Sequence, residues 1–326
     1  MRSPQIPALG TMAIVASLSM AQSTWLVSND PLENPDFATI AAAVASPLVL
    51  DGDTVVISEG TGPYHGGVVV AKSLLFEAEP GEHPVVHPAG PFTAKYGFDV
   101  PSGAPGITVR GLTFDGLGAP STTGVNASAS TQTFVDRCTF LRLASGVGSP
   151  RAVTESSFVE CQFGASAGRI EECTFVRLAP GASVVTFVGS PRVERSRFSG
   201  PARVTSSADG VTRRFISCRF ENIAVPAGLA AFQGGSLNSD FAFDSCLFSN
   251  VTTTGAPIIR HNDIVSIATT LRNCTIVNCT APALVEMRSS PGSLTLQNSI
   301  IHANAFTTTF IGPVTASSNI TDFALS

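Results

Sequence analysis

Leu271-Arg272-Asn273-Cys274-Thr275-Ile276-Val277-Asn278 is the fullest copy of a cassette that recurs through most of the chain. Aligned on its last large apolar residue, Ile276, the copies put Phe114, Phe140, Phe158, Phe175, Phe198, Phe220, Phe248 and Ile301 in one column. Five residues earlier every copy is apolar: Val109, Val135, Val153, Ile170, Val193, Phe215, Phe243, Leu271 and Leu296. Two residues before the anchor stand Cys138, Ser156, Cys173, Ser196, Cys218, Cys246, Cys274 and Ser299, and only Leu112 of the first copy is not small. Columns of fixed size and polarity mark one unit packed repeatedly against its own copies.

Successive anchors lie 26, 18, 17, 23, 22, 28, 28 and 25 residues apart, an irregularity that short strands with variable loops absorb and a helical-hairpin array does not. With Val, Ile, Phe and Thr enriched and turn residues between copies, the pattern predicts a stacked coil, each strand lying about 4.8 Å from its neighbour. Side chains on a strand alternate between faces, so the apolar residue at minus five and the small residue at minus two cannot both point inward unless the chain bends between them. The two intervening residues supply that bend. In the later copies they are Arg272-Asn273 and Gln297-Asn298, and Asn tolerates unusual backbone angles. Asn222, Asn250 and Asn278, two residues past their anchors, mark a second bend and can bond one another from rung to rung.

With its apolar-x-Asn-Cys-x-apolar-x-Asn rungs, the chain resembles the pectate-lyase-like family of right-handed parallel β-helix proteins over roughly Phe37 to Ile320, most specifically from Leu271 to Asn278. The resemblance implies an all-β, right-handed parallel β-helix (a β-solenoid) with three short strands per turn and any cleft on the outer face of one sheet. It also implies that the N-terminal capping helix is followed by a Gly-Asp-Thr strand start, here Gly52-Asp53-Thr54.

Taken in order, residues 1–21 read as a secretory signal peptide, with Arg2, an apolar run from Met12 and a Ser19-Met20-Ala21 cleavage site. The run is too short for a membrane span. Residues 22–326 form one β-helix domain on this reading. Its cap lies at about 36–46, where Asp36 precedes a helix that aligns Phe37, Ile40, Ala41 and Val44 on one face. From Pro80 to Pro105, Pro and Gly predict loop around two short strands, and Pro84 and Pro88 preclude a helix that would pair His83 with His87 on a metal, leaving both as solvated loop residues. Near the end, Phe323 and Leu325 either fold over the last rung as a plug or dock against a partner or a second copy.

Hydrophobic residues make up 44% and charged residues 13%, enough for one long core. A net charge of -5 without a basic stripe excludes a nucleic-acid partner. Five of the seven cysteines (Cys138, Cys173, Cys218, Cys246 and Cys274) occupy the small inward column that Ser fills elsewhere, so they read as core residues in a ladder rather than a disulfide framework. No Cys-x2-Cys pair suggests zinc, and no metal or cofactor is expected from the residues themselves.

Enzymes of the resembled family cleave acidic polysaccharides, either by β-elimination with Ca²⁺ and an arginine base or by hydrolysis between paired carboxylates. Their signature motifs are absent, and Asn238-Ser239-Asp240 is only similar to a polygalacturonase Asn-Thr-Asp. The outward column that follows the Asn bends, Thr205, Gln233, Arg260 and Glu286, is the best ligand-site candidate, with His261-Asn262-Asp263 at its edge. Against it stands a simple Arg260–Glu286 cross-strand pair. Asp136-Arg137, Glu171-Glu172 and Glu194-Arg195 read as a solvated ridge, with Glu171-Glu172 a weak Ca²⁺ alternative. The expectation is an exported or cell-surface scaffold without catalysis, whose partner is a polysaccharide or another surface protein. The alternatives are a diverged polysaccharide lyase or glycoside hydrolase, with Ca²⁺ relevant only to the lyase, and a piece of a larger modular surface protein.

Overall fold

The computed structural model describes residues 22–89, 95–127, 132–177, 184–187, 192–201, 203–206, 212–225, 227–233, 240–261, 267–287, 292–311, 314–317 and 320–321. The proposed signal peptide and the Phe323/Leu325 plug lie outside them. Three parallel sheets of 13, 13 and 12 strands run the length of the coil. Sheet 1 runs from Thr24–Val27 to Val314–Ser317, sheet 3 from Tyr64–His65 to Ile320–Thr321, and sheet 2 closes the third side.

The alignment of the cassettes is the spatial register. Val109, Val135, Val153, Ile170 and Val193 pair in series along sheet 1. Phe114, Phe140, Phe158, Phe175, Phe198, Phe220 and Phe248 do so along sheet 3. Fixed register turns those phenylalanines into a stack whose central members, Phe140 to Phe198, sit 4.8 Å apart and within 9° of parallel. Each ring is buried, worth about 1.5–3 kcal/mol, and each stacked pair adds about 0.5–1.5 kcal/mol beyond area. Room for the stack comes from the opposite wall. A Cβ on Gly97, Gly124 or Gly146 of sheet 2 would lie 2.5–2.6 Å from Cδ1 of Phe114, Phe140 or Phe158 respectively.

The bend between sheets 1 and 3 falls on the residue three before each anchor. Gly111, Arg137, Glu155, Glu172, Arg195, Ser217, Ser245, Asn273 and Asn298 all have φ between 46° and 73°. Such a bend leaves carbonyls turned inward, and the small column answers them. Cys138 Sγ donates to Val109 O at 3.5 Å and Asp136 O at 3.3 Å, and Cys274 Sγ to Phe243 O and Arg272 O at 3.5 and 3.3 Å. Ser156 Oγ donates to Thr154 O at 2.7 Å and accepts from Cys138 N at 3.1 Å. A thiol or hydroxyl suits this place because it is compact and carries a donor, whereas a larger side chain would displace the core.

All seven cysteines are free, and Cys138, Cys173, Cys218, Cys246 and Cys274 are buried. Burial pushes the Cys138, Cys161 and Cys173 thiols up to about 12. For Cys246, the thiols of Cys218 and Cys274 on either side, and then burial, hold the proton on. The second bend also uses left-handed backbone, with φ of 54° at Asn222, Asn250 and Asn278. Asn250 Nδ2 donates to Asn222 Oδ1 at 3.0 Å.

The N-terminal helix differs from its expected extent. It spans Ile40–Ala45, and Thr39 Oγ1, not Asp36, accepts the cap bond, from Ala42 N at 3.1 Å. Asp36 instead accepts Leu26 N at 2.8 Å, which lets Phe37 bridge to Val27 and holds it out of the helix. Starting at Ile40 rotates the buried face to Ile40, Ala43 and Val44, and Ala41 is exposed. Lys72 Nζ ties the helix to the coil by donating to the carbonyls of Val44, Ser46 and Val49, each at 2.8 Å. Asp53 of the Gly-Asp-Thr start accepts Ser23 N, Trp25 Nε1 and Leu50 N at 2.8–2.9 Å. His87 belongs to the strand Val85–His87, in register with His65, and only His83 is a loop residue.

Candidate functional site

Sheet 2 brings the expected outward column into register, Thr205 with Gln233, Gln233 with Arg260 and Arg260 with Glu286. Their neighbours Val204, Phe232, Ile259 and Val285 are buried. Arg260 is only 8% exposed. Its Nε donates to Glu286 Oε2 at 3.0 Å and its Nη1 to Gly228 O at 3.1 Å, so the guanidinium fastens the turn around Gly228 to the sheet.

His261 does not join the column. On the strand Ile259–His261 the side chain after an outward Arg260 points inward, and His261 is fully buried. Its Nε2 is 2.7 Å from Thr269 Oγ1, and its ring lies 5.3 Å from Phe241. Arg213, also fully buried, holds its guanidinium 5.9 Å from the same ring. The expected patch of cation and imidazole is therefore split across the wall of the coil. Asn262 and Asp263 lie outside the described residues, as do Asn238 and Ser239. Asp240 accepts Ala268 N at 2.7 Å, a bond between adjacent strands of sheet 1.

The charged ridge at the first bend is a lattice of pairs. Asp136 takes Thr154 Oγ1 at 2.7 Å, Arg110 Nε at 3.1 Å and Arg137 Nε at 3.2 Å. Against the opposing effect of burial, these partners lower its pKa from the ordinary aspartate value. Arg272 lowers that of Asp244, helped by Asn273. Arg195 reaches Glu171 and Glu172 together, the latter at 2.7 Å. With both carboxylates held by one guanidinium, this pair does not fit a hard cation that needs six or more oxygens. Among the described residues no group of three or more His, Cys, Asp or Glu side chains is placed to hold a metal, and no helix is long and apolar enough to cross a membrane.

A groove of about 320 Å³ on the outer face of sheet 1 was not singled out by the sequence. Ala242 and Ile216 line it, with Thr212, Thr270, Arg214, Asp244 and Arg272 around them. Register fixes its shape: Arg214, Ala242 and Thr270 form one row, and Ile216, Asp244 and Arg272 the next. The small Ala242 leaves the depression between longer neighbours.

Three parallel sheets in register, a left-handed bend in every cassette and a polar outer face settle the architecture. The fold is that of the pectate-lyase-like right-handed parallel β-helix. No protein-family profile and no curated protein matches the chain. Among solved structures it is similar to DFA-IIIase from Arthrobacter chlorophenolicus A6 in complex with DFA-III, with a TM-score of 0.51 at 16% identity over 87% of this chain and 81% of that one. Pectate lyase Pel9A aligns over 93% of this chain and 79% of its own, at a TM-score of 0.48 and 11% identity. At such identities the likeness is one of fold.

Proposed function

We propose that the chain is an exported, non-catalytic binding scaffold whose partner is a polysaccharide. The observation that carries this reading is the paired state of the ionisable groups in the sheet 2 column and at the first bend. Arg260 is spent on Glu286 and Gly228, Arg195 on Glu171 and Glu172, and Asp136 on Arg110, Arg137 and Thr154. Glycoside hydrolysis asks for a carboxyl raised in pKa as the acid. Among the described residues the displaced carboxyls, Glu33, Asp53, Asp136 and Asp244, all move the other way. Parallel strands repeat their side chains at about 4.8 Å along a stiff axis, a template suited to a polymer that also repeats. The fold shared with DFA-IIIase in complex with DFA-III is in keeping with a carbohydrate-related role.

The test is chain-length analysis of acidic and neutral polysaccharides after incubation with the protein, with and without Ca²⁺, alongside affinity electrophoresis in the same polymers. Retarded migration with intact polymer is the expected result. Shortened product would replace the scaffold with a lyase or hydrolase.

A further inference from the structure

Stacking in register places two of the chain's five histidines directly opposite each other. Sheet 3 opens with the strands Tyr64–His65 and Val85–His87, in which Tyr64 pairs with Val86 and His65 with His87. Tyr64 and Val86 are buried, so the alternation of side chains along a strand turns both imidazoles to the outer face. His65 is exposed and His87 half-buried, and neither side chain has a hydrogen bond or ion pair with any described residue.

The register is pinned at this place. Gly66 N donates to His87 O at 2.8 Å and Gly67 N to Tyr96 O at 2.6 Å. Only glycine permits so close an approach: a Cβ on Gly66 would lie 2.5 Å from Tyr96 O and 2.9 Å from His87 O. Directly opposite positions on a sheet normally gain from unlike charges or from apolar contact. Two outward histidines gain neither, and when protonated they repel. A cation between them reverses the balance, because neutral imidazole is the commonest protein ligand of transition metals.

The spacing suits such an ion. Parallel strands lie about 4.8 Å apart, and two nitrogens held at about 2.0–2.1 Å from one metal stand roughly 3 Å from each other, a gap that imidazoles on adjacent strands close by leaning together. Asp115, next to Phe114 on the following strand and so in line with His87, is not a third ligand. Its carboxylate accepts from Arg142 Nε at 3.1 Å and Leu117 N at 2.9 Å. Two imidazole nitrogens with open positions suit Cu²⁺, Ni²⁺ or Zn²⁺ and not the oxygen-seeking Ca²⁺.

From this we infer that His65 and His87 form a two-histidine chelate for a divalent transition metal at the N-terminal end of sheet 3, with water in the remaining positions. It lies on a different sheet from the Arg260 column, so its metal and the polysaccharide partner are tested apart.

Untagged protein in a non-coordinating buffer near neutral pH is titrated calorimetrically with CuCl₂, NiCl₂, ZnCl₂ and CaCl₂. The expected result is one equivalent of transition metal per chain, Cu²⁺ bound more tightly than Ni²⁺ or Zn²⁺, and no Ca²⁺. His65→Ala and His87→Ala should each weaken binding roughly a hundredfold, the lower end of what two linked ligands gain over one. The double variant should bind no more weakly than either single one, because a chelate broken once is already lost. His83→Ala removes an exposed loop histidine outside the pair and should leave binding unchanged. In the unmodified chain, electron paramagnetic resonance of the Cu²⁺ complex should show two imidazole nitrogens, a readout that needs no variant. The site is wrong if the unmodified chain takes up no transition metal, if the equivalent survives in either single variant, if His83→Ala loses as much, or if the resonance shows one nitrogen or none.

Discussion

Replacing Gly146 by Ala is the sharpest test of how the core is built. At an ordinary strand position this change stabilises by about 0.5–1 kcal/mol, because glycine loses more backbone entropy on folding. Gly146 has no positive φ to require glycine, so conformation alone favours Ala. Space does not. A Cβ there would lie 2.6 Å from Cδ1 and Cε1 of Phe158 and closer still to the carbonyl oxygen of Gly164. The ring cannot retreat along the axis, since Phe140 and Phe175 are stacked 4.8 Å away on either side. Overpacking of this kind costs about 1–3 kcal/mol, which outweighs the entropic gain and reverses the usual sign. We expect a net loss of roughly 1–2 kcal/mol in urea unfolding followed by circular dichroism. Phe158→Ala alone should cost about 3–5 kcal/mol. Because it vacates the space the new methyl needs, the double variant should be less unstable than the two single losses together by about 1–2 kcal/mol. A Gly146→Ala protein as stable as the parent, or additive losses in the double variant, would refute the account of a phenylalanine stack fitted against a glycine wall.

Glu155 holds φ at 47° at its bend, and left-handed backbone disfavours side chains other than Gly and Asn; Glu155→Asn, copying Asn273, should therefore raise stability by about 0.5–1 kcal/mol in the same assay. Asp53, Asp136 and Asp244 all titrate below their ordinary value in the folded chain. Their contribution is thus full above the unfolded aspartate pKa near 3.9 and disappears as pH falls through the lowered folded values, so the urea midpoint should hold from pH 7 to about 5 and drop below about 4. Asp53→Asn should lower the midpoint at pH 7 and shrink that acid drop, because an amide cannot accept from Ser23 N, Trp25 Nε1 and Leu50 N together; an unchanged acid limb would remove Asp53 from this role. In the folded protein at pH 8 the Cys138, Cys161, Cys173 and Cys279 thiols should react slowly with an aromatic disulfide reagent, since burial keeps them protonated and only thiolate attacks, and all seven thiols should appear at once in denaturant.

The register was legible because the copies of the cassette, all but the first with its Leu112, carry the same three constraints at fixed spacing, from the apolar residue at minus five to the anchor. The same bookkeeping fails wherever loop length intervenes. Gly124 and Gly146 lie 16 and 12 residues before the rings they face, Phe140 and Phe158, so no alignment on the anchor brings the glycine wall into a column. The bend was readable as a place but not as a residue. Asn273 and Asn298 announce it, whereas Arg137, Glu155, Glu172 and Arg195 adopt the same backbone against their preference because the strands on both sides fix it. His261 was misplaced by reasoning from adjacency in sequence, although period two already sent it inward once Arg260 was placed outward.

The groove at Arg214 shows the reverse limit. Its signal is a substitution inside a lattice, Ile216 in the column of Glu171 and Glu194, and a lattice has no meaning before the strands are stacked. A coil whose inward columns are dictated by packing leaves only its outward columns free to differ. On such a fold a departure in an outward column, such as Ile216 in the column of Glu171 and Glu194, can be read only against the neighbours stacked on it.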